Sequence, residues 1–455
     1  MVEFKRFSYS ALDELREDIS SMGLNLPATD DVSVLLKPIS IYGKEVPNRL
    51  VVQPMEGCDG EEDGSPSDLV LRRYERFARG GCGLIWVEAC AVSRESRANP
   101  RQLWLHEGNV DAYKALVNKI YADAKDANGE GFRPFLVLQL THSGRYSKPG
   151  DGPAIYAAEN PYLDPFLPKA FEPHKITDEE LEALEDQFVH VAKLAKEAGF
   201  DAVDVKACHR YLNNELLSAR TRDGKYGGDF EGRTRFLLNV VDKIKASVDI
   251  GITTRINAYD EMPLPYGWCA DEEDFHSYDL AEMKRLAKIL YDKGVRLMNL
   301  TGGNPYYNPH VNRPYDQGYY TPPVHQLDAL CKLLGAAKEV RAELPEDMVI
   351  ISTGYSWLRE YGANVAAGCI GGGWFEMSGF GRQSFAYPEF ANDIKNNGSM
   401  ERRKCCIACG KCSEIMRNGS TAGCVIKDAK LYAPIYRKSM EGKPPFDGSR
   451  IAEHV

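Results

Sequence analysis

Residues 135–145 read Phe-Leu-Val-Leu-Gln-Leu-Thr-His-Ser-Gly-Arg, an apolar run that passes directly into a polar loop containing glycine. An apolar run of this length is typical of a buried strand. The polar side chains then fall at the carboxyl end of the strand, where barrel enzymes carry their active sites. Repetition of this pattern along the chain decides the fold.

The pattern recurs eight times. The apolar runs that we predict to be strands are Leu50–Gln53, Leu84–Glu88, Phe135–Gln139, Ala202–Val205, Ile252–Ile256, Arg296–Leu300, Val349–Ser352 and Trp374–Met377. Each is followed by a loop or an amphipathic helix, as expected over 181–199 and 280–294. Eight such units predict an α/β chain folded as a (β/α)8 TIM barrel. A doubly wound sheet is the alternative, but no Gly-x-Gly-x-x-Gly motif opens a helix.

We expect three parts in the chain. Residues 1–34 form an N-terminal arm with a helix whose apolar positions are Leu12, Leu15, Ile19 and Met22, capped by Ser10. Residues 35–395 form the barrel, and residues 396–455 form a cysteine-rich C-terminal segment.

Five of the 12 cysteines lie within 20 residues, at Cys405, Cys406, Cys409, Cys412 and Cys424. Without Cys405 the spacing is C-x2-C-x2-C-x11-C, so three thiols come from one loop and the fourth from another. This spacing is closer to iron–sulfur loops than to the paired C-x2-C knuckles of zinc sites. We predict a [4Fe–4S] cluster held by Cys406, Cys409, Cys412 and Cys424, with zinc as the alternative. Whether Cys405 is a ligand or a neighbour stays open.

Composition and charge bear on the partners and the cellular compartment of the protein. The formal net charge is -10 and there is no long basic run, which argues against nucleic acid as a partner. No stretch approaches the ~20 apolar residues of a membrane span. The first residues lack the apolar core of a signal peptide. The seven cysteines outside the cluster do not resemble a disulfide framework. We therefore expect a cytoplasmic protein.

Glycines follow the last two predicted strands. Gly354 comes after the seventh, and Gly381 and Arg382 come after the eighth. In barrels these loops commonly hold a phosphate, since glycine lets backbone N–H groups approach closely. Arg382 can add a bidentate contact. The loops together predict a phosphate-bearing cofactor across the barrel mouth.

Several stretches resemble the old yellow enzyme family of FMN barrels. They are Asn48–Leu50 with the following Pro54-Met55, Gly81–Ala89, Gln139–Arg145 and Tyr226–Phe236. Gly232 departs from the family, which usually has Asn there. With its cysteine segment, the chain resembles the iron–sulfur branch that holds 2,4-dienoyl-CoA reductase and trimethylamine dehydrogenase. The resemblance implies FMN in the barrel and a [4Fe–4S] cluster beside it.

The resemblance also implies roles for single residues. Gln139 would bind the pyrimidine edge of the flavin, and Arg255 would stabilise negative charge near flavin N1. Gly354, Gly381 and Arg382 would hold the phosphate. The backbone of Met55, Glu56 and Ala89 would line the N5 side of the flavin, and Pro54 would also contact the cofactor. The structural alternatives are an ordinary ion pair for Arg255 and a loop cap for Gln139.

Strand four ends in Lys206, His209 and Tyr211 where many relatives have His, His or Asn, and Tyr. By resemblance, Lys206 and His209 polarise a substrate carbonyl oxygen and Tyr211 protonates the α-carbon. The Lys206 ammonium would stabilise an enolate more strongly than a neutral donor, or bind a carboxylate. Alternatively, Lys206 pairs with Glu56 or Asp204 and His209 satisfies a core hydrogen bond. The loop aromatics Tyr306, Tyr307 and Trp268 either wall the pocket or pack the loops.

The leading hypothesis is a reductase of the C=C bond of a small α,β-unsaturated carbonyl, carboxylate or thioester. The chain ends before the C-terminal nucleotide-binding domains of its iron–sulfur relatives, so we expect electrons from a ferredoxin or flavoprotein, with NAD(P)H as the competing donor. One alternative is an amine or alicyclic dehydrogenase that passes electrons out through the cluster. Another is a redox carrier subunit without catalysis. A homo-oligomer is compatible with the sequence.

Overall fold

Eight parallel strands close into a barrel in the computed structural model, which describes residues 4–443. We number them β1 to β8 in chain order: Leu50–Val52, Leu84–Ala91, Phe135–Thr141, Ala202–Val205, Gly251–Asn257, Leu297–Thr301, Val349–Ser352 and Met377–Phe380. The barrel closes where β8 pairs in parallel with β1, with Gly379 opposite Val51. The prediction of a (β/α)8 TIM barrel is confirmed.

The predicted eighth strand was placed three residues too early. The sequence predicted Trp374–Met377, whereas β8 spans Met377–Phe380. The preceding helix Gly362–Gly371 ends in a turn in which the backbone N–H of Trp374 donates to the carbonyl of Cys369 at 3.0 Å. Trp374 therefore belongs to the helix terminus. The sequence did not reveal this helix end, because a buried tryptophan after a glycine turn has the same apolar pattern as a strand residue.

Helices surround the barrel. The longer ones are Asp68–Arg79, Val110–Asn128, Asp178–Ala198, Phe230–Ser247, Ala281–Asp292, Gln326–Arg341, Gly362–Gly371 and Phe390–Asn397. The shorter Leu212–Leu217, Pro309–Asn312 and Arg382–Ala386 lie in the loops after β4, β6 and β8. The helix Asp178–Ala198 shows why they form: Thr177 and Glu180 make a capping box at its start, and Gly199 ends it with φ 97°.

The barrel interior and exterior are separated by strand alternation. In β1, Val51 packs into the interior cluster with Trp86 of β2, whereas Leu50 and Val52 face the surrounding helices. Large interior side chains carry much of the stability, and replacement of a residue such as Trp86 by Ala costs about 3–5 kcal/mol in comparable cores.

The amino end of the barrel is covered by an antiparallel hairpin of Ile39–Ile41 and Lys44–Val46. Ile41 and Val46 join the interior cluster and close it from below. Before the hairpin, the predicted helix of the N-terminal arm spans Leu12–Ser21. Its N-cap is Ala11, so the predicted cap at Ser10 is wrong. The backbone N–H of Ser10 instead donates to the Glu14 carboxylate at 2.6 Å, which satisfies the same end of the helix.

The cysteine-rich segment lies against the carboxyl end of the barrel. Its helices span Lys411–Arg417 and Ala429–Met440. The N–H of Ala422 donates to the carbonyl of Gly57 at 2.7 Å, and Asp428 forms ion pairs with two arginines of the first barrel helix. Residues 444–455 of this predicted segment lie outside the described residues. The predicted domain limits at 34/35 and 395/396 stay predictions.

Within residues 4–443, no helix combines the length and the apolar character needed to cross a bilayer.

Candidate active site

A cavity of about 1020 Å³ opens at the carboxyl ends of the barrel strands. It is lined by all of the residues predicted to bind the cofactor or to react: Pro54, Met55, Glu56, Ala89, Gln139, Lys206, His209, Tyr211, Arg255, Gly354, Gly381 and Arg382. The fold thus brings the predicted residues to one place, while their individual roles stay predictions.

One carboxylate holds the two residues predicted to contact the flavin ring. Asp204 in β4 accepts a hydrogen bond from Gln139 Nε2 at 2.7 Å and from the backbone N–H of Arg255 at 2.6 Å. Burial raises the pKa of Asp204 to about 6. The Arg255 side chain is buried, and its Nε has no hydrogen-bond partner within the described residues. A buried guanidinium with an unpaired donor at a cavity wall fits an anionic or acceptor-rich ligand such as the flavin ring.

The opposite end of the cavity is strongly basic. Gly354, with φ 111°, begins the turn after β7, and a Cβ there would lie 3.0 Å from Leu330 and Leu333. Arg382 donates to the carbonyl of Pro314 at 2.6 Å. Arg313 lies nearby, and its pKa falls to about 10 because it is buried and because Arg382 and Arg417 are close. Cations so close to one another are stabilised by an anion, so this end fits a phosphate.

Some lining residues were missed from the sequence. They are Gln53, Asn312, Arg313, Thr353, Ser356 and Arg417. Thr353 and Ser356 flank Gly354, so that loop held a local signal. The sequence around Arg313 gives no such signal. Arg313 follows a short helix well beyond the end of β6, and only the tertiary fold brings it close to Arg382. Arg417 belongs to the cysteine-rich segment.

The three residues predicted to react lie together at the end of β4. Lys206 is buried, and its Nζ lies 3.6 Å from the centre of the Tyr211 ring. Within residues 4–443 it makes no ion pair with Glu56 or Asp204, so the structural alternative of such a pair is wrong. Burial is the main cause that lowers the pKa of Lys206, opposed in part by the Glu56 carboxylate.

His209 adopts the left-handed backbone region with φ 63°, and its backbone N–H donates to Asn257 at 3.2 Å. Its Nε2 lies 2.8 Å from the amide nitrogen of Asn312. Burial and the charges of Arg255 and Lys206 lower the pKa of His209 well below its usual value, so the imidazole is neutral. With Nε2 accepting from Asn312, Nδ1 carries the proton.

Two tyrosines, Tyr211 and Tyr306, line one wall of the cavity. The Tyr211 and Tyr306 hydroxyl oxygens are 3.0 Å apart, and the rings of Tyr306 and Tyr146 are 4.1 Å apart. Of the three loop aromatics considered from the sequence, only Tyr306 lines the cavity. Trp268 is fully buried and donates from Nε1 to the carbonyl of Asn257, and Tyr307 packs with Leu163 and Met262. Those two serve packing.

The four cysteines predicted to bind the cluster line a second cavity of about 360 Å³, open in part to solvent. The loop from Cys406 to Cys412 is shaped by Ala408, with φ 49°, and by Gly410, with φ 73°. A Cβ on Gly410 would meet the carbonyl of Gln317 at 2.9 Å. Backbone N–H groups point at two of the sulfurs, from Ala408 to Cys406 and from Lys427 to Cys424. Such bonds favour thiolates.

Cys405 points elsewhere, since its thiol contacts the carbonyl of Glu401 and does not line the second cavity. Among the described residues, no group of three or more His, Cys, Asp or Glu side chains converges on one metal ion. Four cysteines from two loops line the second cavity, a donor set compatible with an iron–sulfur cluster.

The two cavities are neighbours. Arg382, Phe385 and Cys412 line both of them. An occupant of the cysteine cavity would therefore lie next to the phosphate end of the barrel cavity. No other part of the predicted site is shared between the cavities within residues 4–443.

Comparison with known proteins agrees with this geometry. A protein named NADH oxidase from Thermoanaerobacter brockii is 29% identical over 368 residues, which cover 80% of this chain and 50% of that protein. An NADPH dehydrogenase from Geobacillus sp. (strain WCH70) is 32% identical over 277 residues, 60% of this chain and 73% of that protein. The chain thus spans about half the length of the NADH oxidase.

The fold also matches solved structures. A 2-naphthoyl-CoA reductase in complex with 2-naphthoyl-CoA superimposes with a TM-score of 0.71 at 20% identity, covering 90% of this chain and 58% of that one. Residues 34–289 match the NADH:flavin oxidoreductase / NADH oxidase family. That match includes the strand ends that carry Glu56, Gln139, Lys206 and Arg255. The chain therefore belongs to the NADH:flavin oxidoreductase / NADH oxidase family, which confirms its resemblance to old yellow enzyme.

Proposed function

We propose that the protein is an FMN- and [4Fe–4S]-dependent reductase of an activated C=C bond in an α,β-unsaturated carbonyl, carboxylate or thioester. The observation that carries the proposal is the wall shared by the two cavities, to which Cys412 and Arg382 contribute. It supports a cluster within electron-transfer reach of a flavin. Bound FMN would supply hydride, and the bound cluster would supply single electrons.

The residues of the chain bind and orient the cofactor in this proposal. Gln139 and Arg255 hold the flavin ring from the barrel interior, and Asp204 fixes both of them. The buried Arg255 charge favours negative charge on the reduced ring. Arg313 and Arg382 hold the phosphate with the backbone of Gly354. Cys406, Cys409, Cys412 and Cys424 hold the iron.

The proton chemistry falls to the residues after β4. The neutral His209 donates from Nδ1 to the substrate carbonyl oxygen, together with Lys206. Tyr211 is buried and its pKa is raised well above 10, first by burial and then by Glu56, so it keeps its proton at neutral pH. It donates that proton to the α-carbon. The Tyr306 ring lines the cavity beside this position, and the Tyr146 ring packs against it.

The charges of the cavity favour this class of substrate. Lys206, Arg255, Arg313, Arg382 and Arg417 line it, and Glu56 is the one carboxylate that does so within the described residues. A net positive cavity attracts the phosphate of FMN and stabilises an enolate or a carboxylate. It repels a cationic amine.

The alternative, an amine dehydrogenase, has one observation in its favour. The rings of Tyr211 and Tyr306 line the cavity, with Tyr146 packed against both, and a substrate cation could face them. However, the Lys206 ammonium already lies over the Tyr211 ring, at 3.6 Å from its centre. A second cation at this place would meet a like charge, which makes the alternative the weaker proposal.

The test begins with purified protein handled without oxygen. We expect one FMN and about four irons per chain by chemical analysis, since a [4Fe–4S] cluster holds four. A panel of 2-cyclohexenone, cinnamate, cinnamoyl-CoA and benzylamine then separates reduction from amine oxidation. Turnover of an enone, enoate or thioester supports the proposal, and turnover of the amine alone contradicts it. Turnover of none of the four compounds also contradicts the proposal.

The electron donor is a further part of the proposal. We expect a separate ferredoxin or flavoprotein to reduce the cluster first. Rapid mixing with NADH is the direct test. If NADH bleaches the flavin within the turnover time, a partner protein is unnecessary and NADH is the donor.

A further inference from the structure

The hydroxyl group of Tyr211 has two polar neighbours. It donates to Glu56 Oε2 at 3.3 Å, and it lies 3.0 Å from the hydroxyl of Tyr306. The other carboxylate oxygen of Glu56 accepts a hydrogen bond from Gln102 Nε2 at 2.7 Å. Four loops, after β1, β2, β4 and β6, therefore meet at one group of side chains. The proposed function uses Tyr211 but gives Glu56 no task of its own.

The proposed chemistry leaves Tyr211 without its proton. Each turnover removes the proton from its hydroxyl and leaves a phenolate in a buried site beside the Glu56 carboxylic acid. Burial makes that phenolate costly, because the low polarity of the site opposes a negative charge. Tyr211 must recover a proton before the next substrate molecule reacts. The question is which neighbour supplies it.

The two neighbours differ as acids. Burial raises the pKa of Tyr306 far above its usual value, so its hydroxyl is a poor proton donor. Burial also raises the pKa of Glu56, against the Lys206 charge and the hydrogen bonds from Tyr211 and Gln102. A carboxylic acid with a raised pKa holds a proton nearer to neutral pH and still gives it readily to a phenolate, which is the stronger base.

We propose, on the basis of the proposed function, that Glu56 is the proton relay that restores Tyr211 after each turnover. The O–H bond of the Glu56 carboxylic acid breaks and the O–H bond of Tyr211 forms, so the negative charge moves from phenolate to carboxylate. Water at the cavity mouth then returns a proton to Glu56. No electrons move in this step. Glu56 acts through Tyr211 and is a positioning and relay residue.

Lys206 has a defined part in this relay. Its Nζ lies 3.6 Å from the centre of the Tyr211 ring, where a positive charge stabilises the phenolate while it exists. The titratable groups that face Glu56 are Lys206 and Tyr211 after β4, Tyr306 after β6, and Cys58 on its own loop. Of these, Lys206 lowers the pKa of Glu56. The other groups are neutral while Glu56 and Tyr211 both carry their protons.

The test separates the first turnover from later ones. The Glu56→Gln variant keeps the shape and the contact with Gln102 but carries no exchangeable acid proton. The matched control is Glu61→Gln, an exposed glutamate in the same loop. Each holoenzyme is reduced without oxygen and mixed with the panel member that the parent reduces, among 2-cyclohexenone, cinnamate and cinnamoyl-CoA.

We expect the first turnover of Glu56→Gln to stay within about threefold of the parent, because Tyr211 still brings one proton. Steady-state kcat should fall by about 10- to 100-fold at unchanged KM, a loss at the lower end of that expected for general acid catalysis. Tyrosinate absorbance should accumulate after the first turnover only in this variant. The decrease of kcat with rising pH should vanish, and Glu56→Asp should recover part of the rate.

Each outcome has one meaning. If the first turnover slows as much as kcat, or if Glu56→Gln behaves like Glu61→Gln at every pH, the relay is overturned while the reductase function stands. If the parent reduces no member of the panel, the proposed function fails and the relay fails with it.

Discussion

Gln139 donates a hydrogen bond from Nε2 to Oδ2 of Asp204 at 2.7 Å across two neighbouring barrel strands. The same carboxylate accepts the backbone N–H of Arg255 from the next strand. One buried acidic residue therefore sets the positions of both side chains predicted to hold the flavin ring. This arrangement lets the contribution of Arg255 be tested without moving Gln139.

Arg255→Met removes the buried positive charge near the predicted ring. Hydrogen bonds to charged groups contribute about 1.5–3 kcal/mol, so the two-electron potential of the bound flavin should become about 30–65 mV more negative. Anaerobic redox titration measures it. An unchanged potential with FMN still bound would contradict the assignment of Arg255.

Arg313→Met should weaken FMN binding without loss of fold. If Arg313 binds the phosphate, loss of one charge-assisted contact predicts a decrease in affinity of about 10- to 150-fold. Fluorescence titration of the flavin-free protein with FMN gives the affinity. Arg6→Gln, an exposed arginine, is the control. Equal affinities for riboflavin in parent and variant would show that the lost contact is with the phosphate.

The predicted cluster ligands can be tested with two cysteine variants, one of a predicted ligand and one of a neighbouring cysteine. Cys424→Ser should lose most of the bound iron, whereas Cys405→Ser should keep it, because Cys405 contacts Glu401 and lies away from the second cavity. Iron analysis and the visible spectrum of protein purified without oxygen check both. Loss of iron in both variants would make Cys405 a ligand or a support of the site.

Arg73→Met should destabilise the protein. The buried guanidinium pairs with Asp59 at 2.6 Å and with Glu88 at 2.5 Å, so its loss leaves two buried carboxylates unpaired. Removal of one partner from such a group costs about 3–5 kcal/mol. Urea unfolding gives the change. The control is Arg79→Met on the same helix as Arg73, which should change the unfolding free energy little, because Arg79 pairs with Asp126 at the exposed surface.

His142 predicts a pH dependence of stability. Burial lowers its pKa to about 3, and its Nδ1 accepts the N–H of Gly144 at 3.0 Å. The folded pKa lies below the unfolded value of about 6.5, so this contribution is complete above pH 6.5 and is lost as the pH falls toward 3.

His142→Asn keeps an acceptor for Gly144 and removes this titration. The fall in unfolding free energy with acid should become shallower, by up to about 1.4 kcal/mol per pH unit. The control is His106→Asn, because His106 makes the same contact with Gly108 but is only partly buried. Identical acid profiles for His142→Asn and the parent would contradict a neutral buried imidazole.

Much of the fold followed from local pattern. The strands Ala202–Val205 and Val349–Ser352 have the predicted bounds, because each is a short apolar run ended by a polar or glycine residue. The error at Trp374 shows the limit of this signal. Burial alone does not distinguish a strand from the capped end of a helix.

The site was predictable where it follows a strand directly. Gln139, Lys206 and Arg255 sit at strand ends, so the barrel fixes their position once the strands are known. Arg313 and Gln102 were not predictable, because both lie in long connections whose path depends on tertiary contacts. The contact between Tyr211 and Glu56 joins residues far apart in sequence, which a single sequence does not reveal.

The wall that the two cavities share has a thermodynamic consequence. A ligand that orders Arg382, Phe385 and Cys412 from one side prepares them for the ligand on the other. By reciprocity of linked equilibria, whatever factor the proposed cluster contributes to flavin affinity, the flavin contributes to cluster affinity. We therefore expect cooperative incorporation of the two groups, so that chains holding only one of them are scarce.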